Sequence, residues 1–204
     1  MRKTSLLILL FLTIVLITAH KKHDNKLLNS TEKVYTISPE DTKVTWTAYK
    51  TTAKVPVSGS FNKIIIENKK SGATAMEALN ELKFNLPINS IFSQSALRDG
   101  KIKKFFFGTM LNTAAIEGSI YLENSTSGSV RITMNGISHD VPITYKVDGQ
   151  SVRMEAVLYL DNWKAQLALE ALNEVCEDLH SGSDGIAKTW SDVKIDVTTF
   201  LKYE

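Results

Sequence analysis

Residues 128–148 read GSVRITMNGISHDVPITYKVD, and their pattern decides the fold class. Val130, Ile132 and Met134 alternate with Arg131, Thr133 and Asn135, and Val141, Ile143, Tyr145 and Val147 alternate in the same way further on. A period of two sends successive side chains to opposite faces of a strand, one apolar and one wet. Asn135-Gly136 supplies the turn between the two strands, because both residues tolerate positive φ. A second turn at Asp148-Gly149 leads into Val152, Met154, Ala156 and Leu158. Three antiparallel strands in succession follow.

Working outward, short runs rich in Val, Ile, Thr and aromatics, bounded by Gly, Asn, Asp and Ser, predict strands near 34–38, 42–50, 56–68, 80–90, 112–123, 128–135, 140–148, 150–160 and 190–200. Two segments break the pattern. Thr74 to Asn80 is short and helix-compatible. Lys164 to His180 places Ala168, Ala171, Leu172, Val175 and Leu179 on one helical stripe, which Gly182 ends. No internal repeat occurs, so residues 34–204 form one all-β domain with an inserted α-helix near the C-terminus. Many consecutive antiparallel strands make either a sandwich or a closed barrel. Eight strands of this length would enclose one slender ligand.

The N-terminus reads differently. Arg2 and Lys3 precede an apolar run from Leu6 to Ile17 and a small-residue end at Thr18-Ala19, the pattern of a secretory signal over residues 1–19. As a helix, Ser5 to Ala19 spans about 22 Å, short of the roughly 30 Å hydrocarbon core. Cleavage after Ala19 frees the protein into the periplasm or cell envelope, whereas an uncleaved segment would keep it on the membrane. Ile17-Thr18-Ala19 is followed by His20 where a lipoprotein signal needs cysteine, so no thioether lipid forms. Residues 20–33 are a polar tether.

Composition narrows the partners. Of 204 residues, 43% are hydrophobic and 23% charged, values of a globular domain. Without residues 1–19, 22 Lys and Arg face 22 Asp and Glu, and this neutral body lacks the clustered cations that nucleic-acid backbones require. Cys176 is the only cysteine, so no internal disulfide forms.

Several blocks then carry a resemblance. Tyr35-Thr36-Ile37 with Val44-Thr45-Trp46, the Val57-Ser58-Gly59-Ser60-Phe61 element, Ser90-Ile91 with Leu97-Arg98-Asp99-Gly100-Lys101-Ile102 and Phe105-Phe106, Gly136 to Ile143, and Trp190 to Ile195 fall in an order and spacing similar to the YceI-like proteins. That family comprises exported, lipocalin-like bacterial barrels associated with polyisoprenoid lipids. The resemblance runs from about Tyr35 to Leu201 and implies an eight-stranded antiparallel lipocalin-like barrel. It departs at Lys101, where the family commonly has histidine, and in the longer insertion from Asn162 to Lys188.

No local signature of catalysis stands out. Ser138, His139 and Asp140 are consecutive, but neighbours in an extended strand face opposite ways and cannot form a relay. No phosphate-cradling glycine loop, zinc-protease helix or dinucleotide fingerprint is present. Cys176 and His180 are four apart on the expected helix, yet two ligands do not make a metal site, even with His139 and Asp184 as distant recruits. Neither a metal nor a cofactor is expected.

Taken with the absence of these signatures, the resemblance implies a non-catalytic binding protein holding a long-chain isoprenoid or similar amphipathic lipid. Each CH₂ removed from water contributes about 0.8 kcal/mol, so a pocket for roughly ten carbons favours binding without covalent chemistry. The expected ligand contacts are Trp46, Phe61, Ile64, Phe84, Phe106, Ile120, Ile132, Met134, Ile143 and Met154, with Ile66, Leu82 and Leu122 as further wall residues. Arg98 and Lys101 could offer cations to a pyrophosphate or carboxylate; alternatively Arg98 pairs with Asp99 to fix a loop. If Phe105-Phe106-Phe107 is extended, Phe106 faces opposite to its neighbours. The competing readings are an envelope enzyme with a dispersed active site and an interaction module whose barrel is filled by its own side chains. Oligomeric state leaves no mark in the sequence.

Overall fold

The computed structural model describes residues 33–203; the expected signal segment and all but the last residue of the tether lie outside them. Strands β1 (Tyr35–Thr36), β2 (Thr42–Lys50), β3 (Val55–Phe61), β4 (Ile65–Ile66) and β5 (Ser71–Gly72) lead to helix α1 (Ala75–Leu79). After β6 (Lys83–Pro87) and β7 (Ile91–Phe92) comes α2 (Ala96–Lys101), which runs on into a π-helical turn over Ile102–Phe106. Strands β8 (Ala115–Leu122), β9 (Ser127–Met134), β10 (Ile137–Asp148) and β11 (Ser151–Tyr159) precede α3 (Gln166–Glu174) and α4 (Glu177–His180). The described chain ends with β12 (Asp192–Phe200) and β13 (Lys202–Tyr203).

The hairpin at the centre of the sequence reading forms as expected, with Met134 opposite Ile137 and both Asn135 (φ 50°) and Gly136 (φ 68°) left-handed. Its inward residues Val130, Ile132, Met134, Val141, Ile143 and Tyr145 are buried. Gly149 (φ 59°) turns the chain into β11, which pairs with β10 from Asp148–Ser151 to Ile143–Ala156.

The sheet differs from the eight-stranded barrel in two ways. It has ten strands in the order β4-β6-β8-β9-β10-β11-β12-β2-β3-β7, all neighbours antiparallel, and a separate sheet β13-β1-β5 brings the total to thirteen. Nor does it close: β4 and β7 are its two edges, so it is a curled half-barrel. The physical cause lies in residues 62–92. The expected strands 56–68 and 80–90 break into short pieces around Asn62 and around the helical turn Ile88–Ser90, and two-residue edge strands cannot complete a ladder.

Helices fill the ends that the strands leave. At one end Ala78 and Leu79 of α1 are fully buried, with Thr74 capping the helix by accepting from the amide of Glu77. At the other end sit α2, its π turn and α3. The expected single helix over 164–180 is two, interrupted at Val175 and Cys176 (φ −120°), so the apolar stripe does not continue straight: Ala168 is buried but Leu179 is 56% exposed. The segment Ala96–Phe106, which the sequence pattern assigns to no strand or helix, is helical. Ser95 accepts from the amide of Arg98, and Phe106 and Phe107 are both buried and meet edge to face, centroids 4.8 Å apart. Extended alternation therefore does not apply to the three phenylalanines.

Candidate functional site

The hollow of the sheet holds two apolar chambers in line. The first encloses about 980 Å³ of atom-free space, mouth included, and is touched by every strand of the large sheet except β7. Its wall presents no polar atom to the void. Ile64, Phe84, Ile120, Ile132, Ile143 and Met154 line it, with Ile66 and Leu82 beside them. The second chamber, about 700 Å³ on the same measure, is bounded by Trp46, Phe106 and Met134, and by Leu169 and Leu172 of α3. Phe61, Ile116, Leu158 and Ile195 belong to both walls and form the septum between them. Apolar cavities exclude water and accept apolar guests.

Two glycines make room for the aromatic walls. Phe84 lies over its cross-strand partner Gly118, where a Cβ would stand 2.3 Å from the ring, and Trp46 lies over Gly59 in the same way. Leu122, also expected on the wall, packs against the core without reaching either chamber.

A third chamber continues from the second through Trp46, Ala48, Ile102, Leu172 and Thr189. It is partly polar, and Arg98 and Lys101 reach it. All twelve residues expected to contact a ligand thus face one of the three chambers. Arg98 and Asp99 do not pair with each other as the alternative reading supposed; both converge on Ser93. Asp99 is buried and accepts from the Ser93 amide (2.9 Å) and hydroxyl (2.6 Å), while Arg98 donates to the Ser93 carbonyl at 3.2 Å. Lys101 donates to the carbonyl of Val175 at 2.6 Å, tying the end of α2 to the end of α3.

Two residues of this chamber escaped the sequence reading as ligand contacts. Lys50, at the end of β2, donates to the carbonyl of Leu179 at 2.7 Å. His180 turns Nδ1 to the Thr189 hydroxyl (2.8 Å) and Asn173 Oδ1 (3.2 Å). Burial, reinforced by the ammoniums of Lys50 and Lys101, holds its pKa below the ordinary histidine value. Lys50 lies in no motif, and the Cys176–His180 spacing marked His180 only as a potential metal ligand.

The consecutive Ser138, His139 and Asp140 make three unrelated contacts, with Thr133, Asn162 and Arg131 respectively. Cys176 is buried, and among the described residues no three His, Cys, Asp or Glu side chains gather as metal ligands.

A model of the YceI-like domain matches residues 35–200, most of the chain. This chain belongs to the YceI-like family. Among solved structures, the YceI-like protein is similar to a polyisoprenoid-binding domain from Saccharophagus degradans implicated in plant cell wall breakdown. The two share 11% identity at a TM-score of 0.59, covering 83% of this chain and 98% of that one. It is also similar to Burkholderia cenocepacia BcnA, with 12% identity at a TM-score of 0.53, covering 81% and 98%. Such identities establish a common fold. No curated protein matches the chain.

Proposed function

We propose that this YceI-like protein is an exported, non-catalytic carrier that holds one long-chain isoprenoid or similar single-chain amphiphile inside its curled sheet. The observation that carries the reading is the pair of apolar chambers in line, joined at the septum around Phe61, in a domain whose fold is shared with a polyisoprenoid-binding domain. An apolar void is costly in a folded core unless something fills it, since protein interiors are packed as densely as organic crystals. A slender tail recovers the missing contacts, and each buried CH₂ adds about 0.8 kcal/mol. A self-filled interaction module would have no use for the void.

Native mass spectrometry of gently purified protein, followed by lipid extraction, tests the proposal. The expected result is a stoichiometric single-chain amphiphile that detergent washing removes. Phe84→Ala, which widens the first chamber, should shift the chain length of the bound lipid. Protein that neither carries lipid nor takes up a fluorescent prenyl probe would refute the carrier reading.

A further inference from the structure

The two inserted helices are joined at one imidazole. His180 ends α4, and its Nδ1 lies 2.8 Å from the hydroxyl of Thr189, on the segment entering β12, and 3.2 Å from Asn173 Oδ1 on α3. The triangle closes with the Thr189 hydroxyl 3.0 Å from Asn173 Oδ1, and the Asn173 amide donates onward to the Ala187 carbonyl at 3.2 Å. A neutral imidazole serves this triangle in either tautomer: bare, Nδ1 accepts the Thr189 proton; protonated, it donates to Asn173 Oδ1. The triangle stands against the passage between the second and third chambers, because Thr189 and Leu172, the neighbour of Asn173, line both. Between the helices the chain breaks at Val175 and Cys176 (φ −120°), which makes a joint on the inner side of α4.

Resting on the carrier reading, we propose that His180 is an acid-released latch: neutral, it holds α4 on α3 and Thr189; protonated, it frees α4 and opens the passage to the apolar chambers. Its surroundings supply the driving force. Tyr49 and Lys50 of β2, Arg98 and Lys101 of α2, and the Cys176 thiol share the chamber with it, and no Asp or Glu lines that chamber. Glu170 and Glu174 of α3 and Glu177 and Asp178 of α4 are exposed and outside its wall. On the following segment, Asp184 is bound by the Thr52 hydroxyl and Lys188 lies over the Trp190 ring. An imidazolium therefore meets like charges with no carboxylate to compensate it, in a partly buried setting that strengthens the repulsion. Lys50 and Lys101 donate to the Leu179 and Val175 carbonyls, so the repulsion falls on α4 and its joint. The cation also loses the tautomer in which Thr189 donates to Nδ1. Burial first, and then Lys50 and Lys101, hold the His180 pKa below the ordinary histidine value. The closed form thus resists the proton that the open form accepts, and acid favours opening.

Cys176, buried at the joint and the only cysteine of the chain, reports the opening directly. Its rate of reaction with a dipyridyl disulfide is measured against pH and normalised at each pH to the same chain unfolded in urea, which removes the titration of the thiol itself. Dissociation of a fluorescent prenyl probe into excess farnesol is followed over the same range. We expect both rates to rise by about fivefold or more between about pH 7.5 and about pH 5. His180→Gln, neutral throughout, should hold both at their neutral-pH values, and His180→Lys, charged throughout, should make both fast already at the upper pH. Either variant decides the matter if the other does not fold. Replacing His20, His23 and His139 together by Gln should leave the rise in place. Labelling of Cys176 that ignores pH in the unmodified protein, or a rise that survives His180→Gln, would overturn the latch and leave the carrier reading standing. Faster labelling without faster probe release would overturn its control of exchange. A probe that binds at no pH would overturn the carrier reading, and with it the latch as a control on exchange.

Discussion

The indole of Trp46 lies directly over Gly59, its partner in the β2–β3 ladder, so that a Cβ at residue 59 would stand 2.3 Å from indole carbon Cζ2. The same Cβ would meet the Phe92 carbonyl oxygen at 2.9 Å, which leaves it no escape toward β7. Trp46 borders both the second and third chambers, so the absent side chain at 59 sets the width of the passage between them.

Gly59→Ala should therefore push the indole into that passage. We expect a stability loss of about 1–3 kcal/mol from overpacking, together with weaker binding of a prenyl probe. Chemical denaturation and probe titration on one sample check both; a variant that binds the probe normally would show that the passage is not a ligand path.

Phe61 tests the septum. Phe61→Ala joins the two apolar chambers, and longer tails should then be preferred in competition between prenyl alcohols of increasing length. The usual cost of truncating a packed phenylalanine is about 3–5 kcal/mol. We expect a loss at or below the lower end, because the ring already borders empty space on two sides.

Trp163 provides the contrasting case. It is fully buried, donates Nε1–H to the Ile132 carbonyl at 3.1 Å and lines none of the three chambers. Trp163→Phe should cost about 1–3 kcal/mol through the orphaned carbonyl, with the profile of bound lipid unchanged. Lipid extraction beside thermal unfolding separates this packing residue from the chamber walls.

His180 should leave a signature in the pH dependence of stability. Its folded pKa lies below the unfolded value of 6.5, chiefly through burial and then through Lys50 and Lys101. Between those two values the unfolded chain binds more protons than the folded one, so stability rises with pH across that window and is lost on acidification through it. His180→Gln removes this contribution, and its Tm should fall less than that of the unmodified protein between about pH 7 and pH 5. Parallel slopes would show that the imidazole is not held neutral by its surroundings.

The all-β class was legible because its signals are local. Alternation in β9, β10 and β11 and the left-handed pair Asn135-Gly136 need only neighbouring residues to be read, and the strands there lie within a few residues of expectation. The aromatic run at 105–107 misled for the same reason. Phenylalanines favour strands on average, but the Ser95 cap and the packing of Phe106 on Phe107 hold this segment helical. Ser95, three residues before Arg98, was the available sign of a helix start.

By itself, the sequence determined which stretches pair as strands, which faces are apolar, and that the interior would be lined by residues such as Phe84, Ile132 and Met154. Tertiary structure alone decided that the sheet stays open between β4 and β7, that the hollow is divided at Phe61, and that Lys50 and Lys101 meet the inserted helices at one mouth. Hydrophobic periodicity is written residue by residue, whereas closure depends on twist and register accumulated over ten strands. The contact between Lys50 and Leu179 joins groups 129 residues apart, a distance over which no local pattern carries information.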